Sequence, residues 1–447
     1  MRFLNSLFLA ALVAPSVASA NELTRVYDLA LQNDTTLRAA VGARESVVET
    51  LPQARGALLP QLSGQGTFTE GDSTQTFNGV SEDSDDETTL LTLSLRQALF
   101  DAAAWNRWQQ ADANATAAEA TYRIAEQSLV LRATEAYFNV LAAADSMRFA
   151  DAEKQAVERS LELAKKRFEV GLSAITDVQE AQARYDLTVA QMIEAEQALL
   201  SAKLSLTEMT GAADARIVPL KDEIPLLGPN PDSVADWVKA AAEGNLEIRV
   251  ARAQAEAAAQ GIDLSRAGHY PTLALIGEQR KLEDTGVVFG VPAVQELDKL
   301  SYGLQVNVPI FAGGSTQAGV NAAKGLHQQR VAELDGRRRT VERTTRNAYQ
   351  GVIAGVSRVK ALKQAVLSNT TALEASEVGL EVGARTAIDV LNAQRELYRA
   401  QRDYSRSRYD YLLNILRLKS AAGQLTAKDL NEIDALLGAE PAPAAKG

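Results

Sequence analysis

Two stretches of this chain repeat one another 212 residues apart, and that repeat limits what the chain can fold into. The first reads Phe168-Glu169-Val170-Gly171-Leu172-Ser173-Ala174-Ile175-Thr176-Asp177-Val178-Gln179. The second reads Leu380-Glu381-Val382-Gly383-Ala384-Arg385-Thr386-Ala387-Ile388-Asp389-Val390-Leu391. The offset holds from Glu169/Glu381 to Gly211/Gly423 with no insertion or deletion. Each copy sets a Gly inside a long helix-favouring region, followed by a Thr and an Asp that can restart a helix. Gly takes the left-handed backbone that ends a helix, and Thr or Asp caps the next one. Each stretch is therefore predicted to be the tip of a helical hairpin, and the chain to be two similar halves.

The flanks divide accordingly. Residues 1–20 carry Arg2, an apolar run from Leu7 to Val13, and Ala18-Ser19-Ala20 before Asn21, the pattern of a secretory signal with a small-x-small cleavage site. The apolar run is too short to span a bilayer. The predicted organisation is this signal, a first repeat over 21–211, an irregular linker over 212–233 with four prolines, a second repeat over 234–423, and a polar, Ala/Pro-rich tail over 424–447. With no cysteine, disulfides, thiolate metal sites and a lipid anchor on cysteine are all excluded. A net charge of -11 argues against nucleic acid as a partner.

Within the first repeat, Asn21 to about Leu58 reads as mainly helix, with a kink expected at Pro52. Leu62, Gly64, Gly66 and Phe68 then alternate with polar residues, as do Leu91, Leu93 and Leu95, the period of a strand. The polar stretch between them, Gly71 to Thr89 with acidic residues from Glu82 to Glu87, is expected to be a solvated loop. It lacks the glycine and spacing of a calcium loop. From Asp101 to about Phe168 the composition turns Ala-, Glu- and Gln-rich, a helix on the order of 100 Å long. After the tip, Val178, Tyr185, Met192, Leu199 and Leu206 recur every seven residues, and Val390, Leu397, Tyr404, Tyr411 and Leu418 repeat this in the second half. That is the coiled-coil period. The second half follows the same plan: Arg249 answers Arg38, Pro271 answers Pro60 and Phe311 answers Phe100 at an offset of 211.

A helix of that length far exceeds the thickness of a bilayer, so most of the helical part must stand outside one. Strands of about 10 residues with one apolar face suit an outer membrane. Four strands cannot close a barrel, and an open edge cannot persist in lipid, so in a membrane the barrel must be shared between chains. The lengths alone allow a dimer with eight strands as well as larger assemblies.

The two tips, the duplicated layout and the signal together resemble the TolC family of outer-membrane channels, over essentially the whole chain after residue 20. The words that carry the resemblance include Ala136-Tyr137-Phe138-Asn139-Val140-Leu141, Ala174-Ile175-Thr176-Asp177-Val178-Gln179, and Val382-Gly383 with Arg385-Thr386. The resemblance implies an α+β membrane protein: a homotrimer with a twelve-stranded β-barrel in outer-membrane lipid, continued by a twelve-helix coiled-coil α-barrel in the periplasm. It also implies work with a periplasmic adaptor and an inner-membrane transporter in drug efflux or protein secretion.

The same resemblance carries site residues. Thr176 and Asp177 match positions that receive closing links at the tips, and Arg385 matches the donor, whose rigid fork suits a carboxylate and a hydroxyl together. A cation at a helix start opposes the helix dipole, so a merely solvated Arg385 would be misplaced. Asp389 matches the first of two acidic rings at the constriction, while Asn392 stands where the second acid would be. Leu380 and Ser160 replace a tyrosine and a glutamine of the closing network, which concentrates the expected lock on Arg385, Thr176 and Asp177. Gly171, Leu172, Gly383 and Ala384 form small or apolar ends expected to dock the adaptor.

Two other classes compete. An enzyme is disfavoured: there are two histidines, His269 and His327, and no phosphate loop, nucleophile elbow, metal motif or cofactor motif. A soluble periplasmic coiled-coil scaffold or adaptor accounts for the helices but not for four alternating strands bounded by prolines at matched positions.

Overall fold

A computed structural model describes residues 21–213, 216–288 and 291–438. The predicted signal over 1–20 and residues 439–447 of the tail lie outside them. The described chain forms two compact units. One comprises residues up to Arg38, Ile124–Asn245 and those from Val341 onward; the other comprises Ala39–Arg123 and Leu246–Thr340.

The region predicted as one kinked helix is three: α1 (Glu22–Asn33), α2 (Thr35–Val48) and α3 (Thr50–Gly56). Asp34 makes the first break. Its backbone is extended, and its carboxylate accepts from Leu37 N at 2.6 Å, capping α2. The second break, at Glu49, keeps a helical backbone and lies three residues before Pro52, whose ring nitrogen cannot donate to the Val48 carbonyl. The second repeat breaks at the matching place: α6 (Val234–Gly244) and α7 (Leu246–Arg266) are separated by the extended Asn245. The side chains beside these breaks are used alike, Asn33 Nδ2 donating to Thr210 O at 2.7 Å and Asn245 Nδ2 to Ala421 O at 2.9 Å.

Strands β1 (Gln61–Phe77), β2 (Val80–Phe100), β3 (Thr272–Val288) and β4 (Val291–Asn307) form one antiparallel sheet in the order β1-β2-β3-β4. They run to 17 residues, and to 21 in β2, well beyond the expected ten. The acidic stretch predicted as a loop is strand. Asn78 and Gly79 both have positive φ, +50° and +83°, which closes a two-residue hairpin and keeps the ladder going on both sides. Hydroxyls meet the carboxylates there: Thr74 Oγ1 donates to Asp83 at 2.7 Å and Thr88 Oγ1 to Asp284 at 2.7 Å. Register sets Leu62, Leu95, Gly277 and Tyr302 in one row on one face. Tyr302 is 85% exposed, so that apolar face is uncovered in the single chain.

The helices α4 (Ala102–Glu169) and α8 (Ser315–Glu381) have 68 and 67 residues, and α5 (Ile175–Thr210) and α9 (Ala387–Ala421) follow the two tips. Among the described residues no helix is long and apolar enough to cross a membrane. In α9 the heptad positions Val390, Leu397, Tyr411 and Leu418 are buried; in α5 only Val178 and Leu206 are. The linker is irregular but anchored. The Tyr137 hydroxyl donates to Val218 O and accepts from Val218 N, each at 2.9 Å, and Tyr411 does the same with Leu227. Part of the predicted tail is ordered as well: α10 (Asp429–Asp434) places the buried Asp434 carboxylate on Leu23 N and Thr24 N at 2.8 and 3.0 Å. Asn21 offers α1 no side-chain cap, so a residue about 410 positions away supplies it.

Asp34 also joins α4. Arg132 holds it by two bonds of 2.6 and 2.9 Å, and the guanidinium keeps the carboxyl below its ordinary value of 3.8. A depressed carboxylate stabilises the fold above its unfolded-state value, and that contribution is lost as pH falls through the folded-state value. Asp34→Asn keeps the cap but loses the ion pair. It is expected to lower the opening free energy of α2, read by amide hydrogen exchange, by about 2 kcal/mol at pH 7. The gap between variant and wild type should close as pH is taken below about 4.

Candidate functional site

The two tips share one backbone solution. At the end of α4, Gly171 has φ +75°, Gly171 N bonds Phe168 O at 2.9 Å and Leu172 N bonds Arg167 O at 2.8 Å. At the end of α8, Gly383 has φ +75°, Gly383 N bonds Leu380 O at 3.3 Å and Ala384 N bonds Gly379 O at 2.7 Å. This is the Schellman pattern, which satisfies the last carbonyls of a helix and needs a residue without Cβ at its left-handed position. Leu172 and Val382 are left 76% and 73% exposed, with Gly171, Gly383 and Ala384 also at the surface.

The restarts differ. Thr386 caps α9 through a capping box: Asp389 N donates to Thr386 Oγ1 at 3.3 Å, while Thr386 N and Oγ1 donate to Asp389 Oδ2 at 2.8 and 2.9 Å. In the first copy the residue at the cap is Ala174, which has no side chain for the task, and α5 begins at Ile175. Thr176 and Asp177 therefore lie inside the first turn of α5, not before it as capping residues. Asp177, third in the helix like Asp389, makes no side-chain hydrogen bond or ion pair among the described residues. Asp389 is committed locally; the two Thr386 bonds hold its carboxyl below the ordinary range and Arg385 adds to that. Asn392 is exposed one turn further along α9.

Arg385, Asp177 and Thr386 line one cleft of about 480 Å3 between the tips, together with Ser160, Leu172 and Gln394. Arg385 and Asp177 share this cleft without an ion pair between them. Arg385 lies across the last turn of α8, where Gly379 makes room: a Cβ there would come 2.5 Å from Arg385 Cγ. Thr176 is exposed beside the cleft and is not among its lining residues.

The hairpins are joined by groups that the sequence reading passed over. Arg167 Nη2 donates to the Leu380 carbonyl at 3.4 Å, and Gln394 Nε2 donates to Ser160 Oγ at 3.3 Å. Leu380 and Ser160, which cannot make the links of a tyrosine and a glutamine, still take part in joining the hairpins, one through its backbone carbonyl and the other through its hydroxyl. Val157, Leu161, Ala164, Val178, Ala181 and Leu391 form a buried apolar cluster behind the cleft. Beyond it the buried Glu153 accepts from Arg402 Nη1 at 3.1 Å and lies 3.6 Å from Arg184 Nη2, linking α4 to α5 and α9. Arg167 and Gln394 carry no local sequence signal, since their partners are more than 200 residues away. Gly379 was readable, as a second glycine one turn before Gly383. Among the described residues no group of three or more His, Asp or Glu side chains is placed to hold a metal.

This geometry joins the two hairpins through polar links, an apolar cluster and a buried ion pair, while each tip closes its own turn. The sequence matches the family described as "Outer membrane efflux protein" over residues 26–212 and 237–424. It is 33% identical to outer membrane protein TolC of Vibrio cholerae over 97% of this chain and 98% of that one. It is 31% identical to the proteases secretion protein PrtF of Dickeya chrysanthemi, over 95% of this chain and 93% of the other. The outer membrane protein VceC of Vibrio cholerae has the same fold, with a TM-score of 0.73 and 22% identity over 91% of this chain and 98% of that one. The chain belongs to the outer membrane efflux protein family and is a TolC-like export channel of the outer membrane, not an enzyme.

Proposed function

We propose that three copies of this chain form one export duct, each giving four strands to a twelve-stranded barrel in the outer membrane and four long helical rods to a periplasmic α-barrel. The observation that carries this reading is the four-stranded sheet whose edge strands, β1 and β4, find no outer partner among the described residues. Unpaired N–H and C=O groups along strands of 17 residues cannot be tolerated in hydrocarbon, so copies must pair edge to edge. A soluble scaffold would leave the same edges, and the apolar face that includes Leu300, Tyr302 and Leu304, open to water.

In this assembly the tips close the periplasmic end. Asp177 is a carboxylate with no local commitment, and Arg385 is a guanidinium with no partner in its own chain among the described residues. The two are matched for a link from one copy to the next, with the Thr176 hydroxyl beside it. Asp389, kept ionised by its cap, places three carboxylates at the constriction, and Asn392 places none. The exposed Gly171, Leu172, Gly383 and Ala384 receive a periplasmic adaptor that couples the duct to an inner-membrane transporter. Drugs, proteins or both are the cargo; the likeness to a protease secretion protein favours proteins.

Planar-bilayer recording tests the lock. Wild type is expected to give small, mostly closed events, and Arg385→Ala with Asp177→Ala large, steady ones. An unchanged open probability in that double variant would remove these residues from the gate. Docking is tested separately by site-specific cross-linking to the adaptor. Gly383→Leu adds bulk at a left-handed position and is expected to abolish cross-links while detergent-solubilised oligomer remains. Normal cross-linking would refute the docking surface.

A further inference from the structure

Near its proximal end, where the strands meet the helices, the sheet has one apolar and one polar face. Leu62, Leu95 and Tyr302 share a row on the first; Ser63, Ser94 and Ser301, in the next row, lie on the second. Hydrocarbon can meet only the first. Followed toward the Asn78-Gly79 turn, that face changes character. Leu93 and Leu300 come next, and then the Lys281–Asp298 ion pair at 3.7 Å, with Gln279 Nε2 donating to Asp298 at 3.2 Å. Beyond it the charged side chains of this face, among the described residues, are all carboxylates. Glu70 stands opposite Glu87, Asp72 opposite Asp85 and Glu283 opposite Glu296. Like charges set directly across a ladder repel, and water and salt relieve this where hydrocarbon cannot.

The change falls at the same height on three strands. Gln61 to Glu70, Thr272 to Lys281 and Asn307 to Asp298 are each ten residues, from the strand's proximal end to its first charge on this face. Ten residues at about 3.3 Å each, tilted by about 40°, rise about 25 Å, the height of the apolar band of an outer-membrane barrel. The edge strands continue past it over residues 71–77 and 291–297, which adds about 20 Å.

We infer that lipid covers only the proximal ten residues of these strands, up to the Lys281–Asp298 pair, and that the rest of the sheet stands outside the outer membrane as a water-exposed acidic collar. The inference rests on the reading of the sheet as part of a membrane barrel. Val294 is the discriminating position. It is apolar and 60% exposed, yet it lies beyond Asp298, in the row of Glu70 and Glu87.

The chain has no cysteine, so single introduced cysteines report without background. Nitroxide spin labels are attached to Leu93→Cys, Leu300→Cys and Tyr302→Cys, and to Glu87→Cys, Val294→Cys and Glu296→Cys, each in the full mature protein reconstituted into phospholipid vesicles. Collision with oxygen, which concentrates in hydrocarbon, is compared with collision with a water-soluble nickel chelate. Oxygen is expected to dominate at the first three positions and the chelate at the second three, with the reversal on β4 between Leu300 and Glu296. Oxygen dominance at Val294 and Glu296 would mean that the sheet is immersed along its whole length, and would overturn the proposal while leaving the barrel intact. Chelate dominance at all six would overturn it too, and would remove the membrane barrel on which it rests. In a second measurement, Leu300→Lys should lower the yield of membrane-inserted oligomer and Val294→Lys should leave it unchanged. Equal yields from the two, or the opposite order, would contradict the boundary.

Discussion

The helical part depends on how a helix of 67 or 68 residues can end and reverse without leaving its last carbonyls bare. Both tips answer with one left-handed glycine and two backbone bonds back into the closing turn. Because those bonds are internal to each tip, a hairpin can shift as a body without opening its own turn. Near the tips one hairpin is held to the other by a 3.4 Å bond to a carbonyl, a 3.3 Å amide–hydroxyl bond and an apolar cluster, and further from them by the buried Glu153–Arg402 pair.

The two copies of the tip differ at the residue that caps the following helix. Ala174 in one and Thr386 in the other occupy equivalent positions, and the difference decides the fate of the acid three residues on. Thr386 draws Asp389 into a capping box, which keeps it ionised and oriented. Ala174 draws on nothing, so Asp177 remains free to bind elsewhere. The two copies thus hold one fixed charge and one charge with no local partner among the described residues, and the Thr386 hydroxyl makes the difference. Gly379 completes the asymmetry, since Arg167 stands at its equivalent position and only the glycine leaves space for the Arg385 stem.

Much of the fold was legible because the signals are local and periodic. The long helices, both tip glycines and the alternating strand segments near Leu62, Leu91 and Tyr302 are where the pattern put them. The misses were also local signals, outweighed by composition. Asn78-Gly79 is a hairpin turn, but the acids around it argued for a loop until cross-strand hydroxyls were seen to meet them. Asp34 and Asn245 are cap residues inside runs that otherwise read as continuous helix. Of the site, Asp177, Arg385 and Asp389 could be named from the motif, but their different states could not.

The sequence by itself determined the duplication, the hairpin tips, the strand count and the exclusion of cysteine chemistry, because each rests on residues near in the chain or on simple presence and absence. Only the tertiary structure decided that Asp434 caps α1, that Arg167 and Gln394 join the hairpins, and that Leu380 acts through its carbonyl. Each of these depends on groups brought together across 200 to 411 residues of chain. No periodicity encodes such pairings, because a hydrogen bond is specified by distance and direction in space and not by spacing along the backbone.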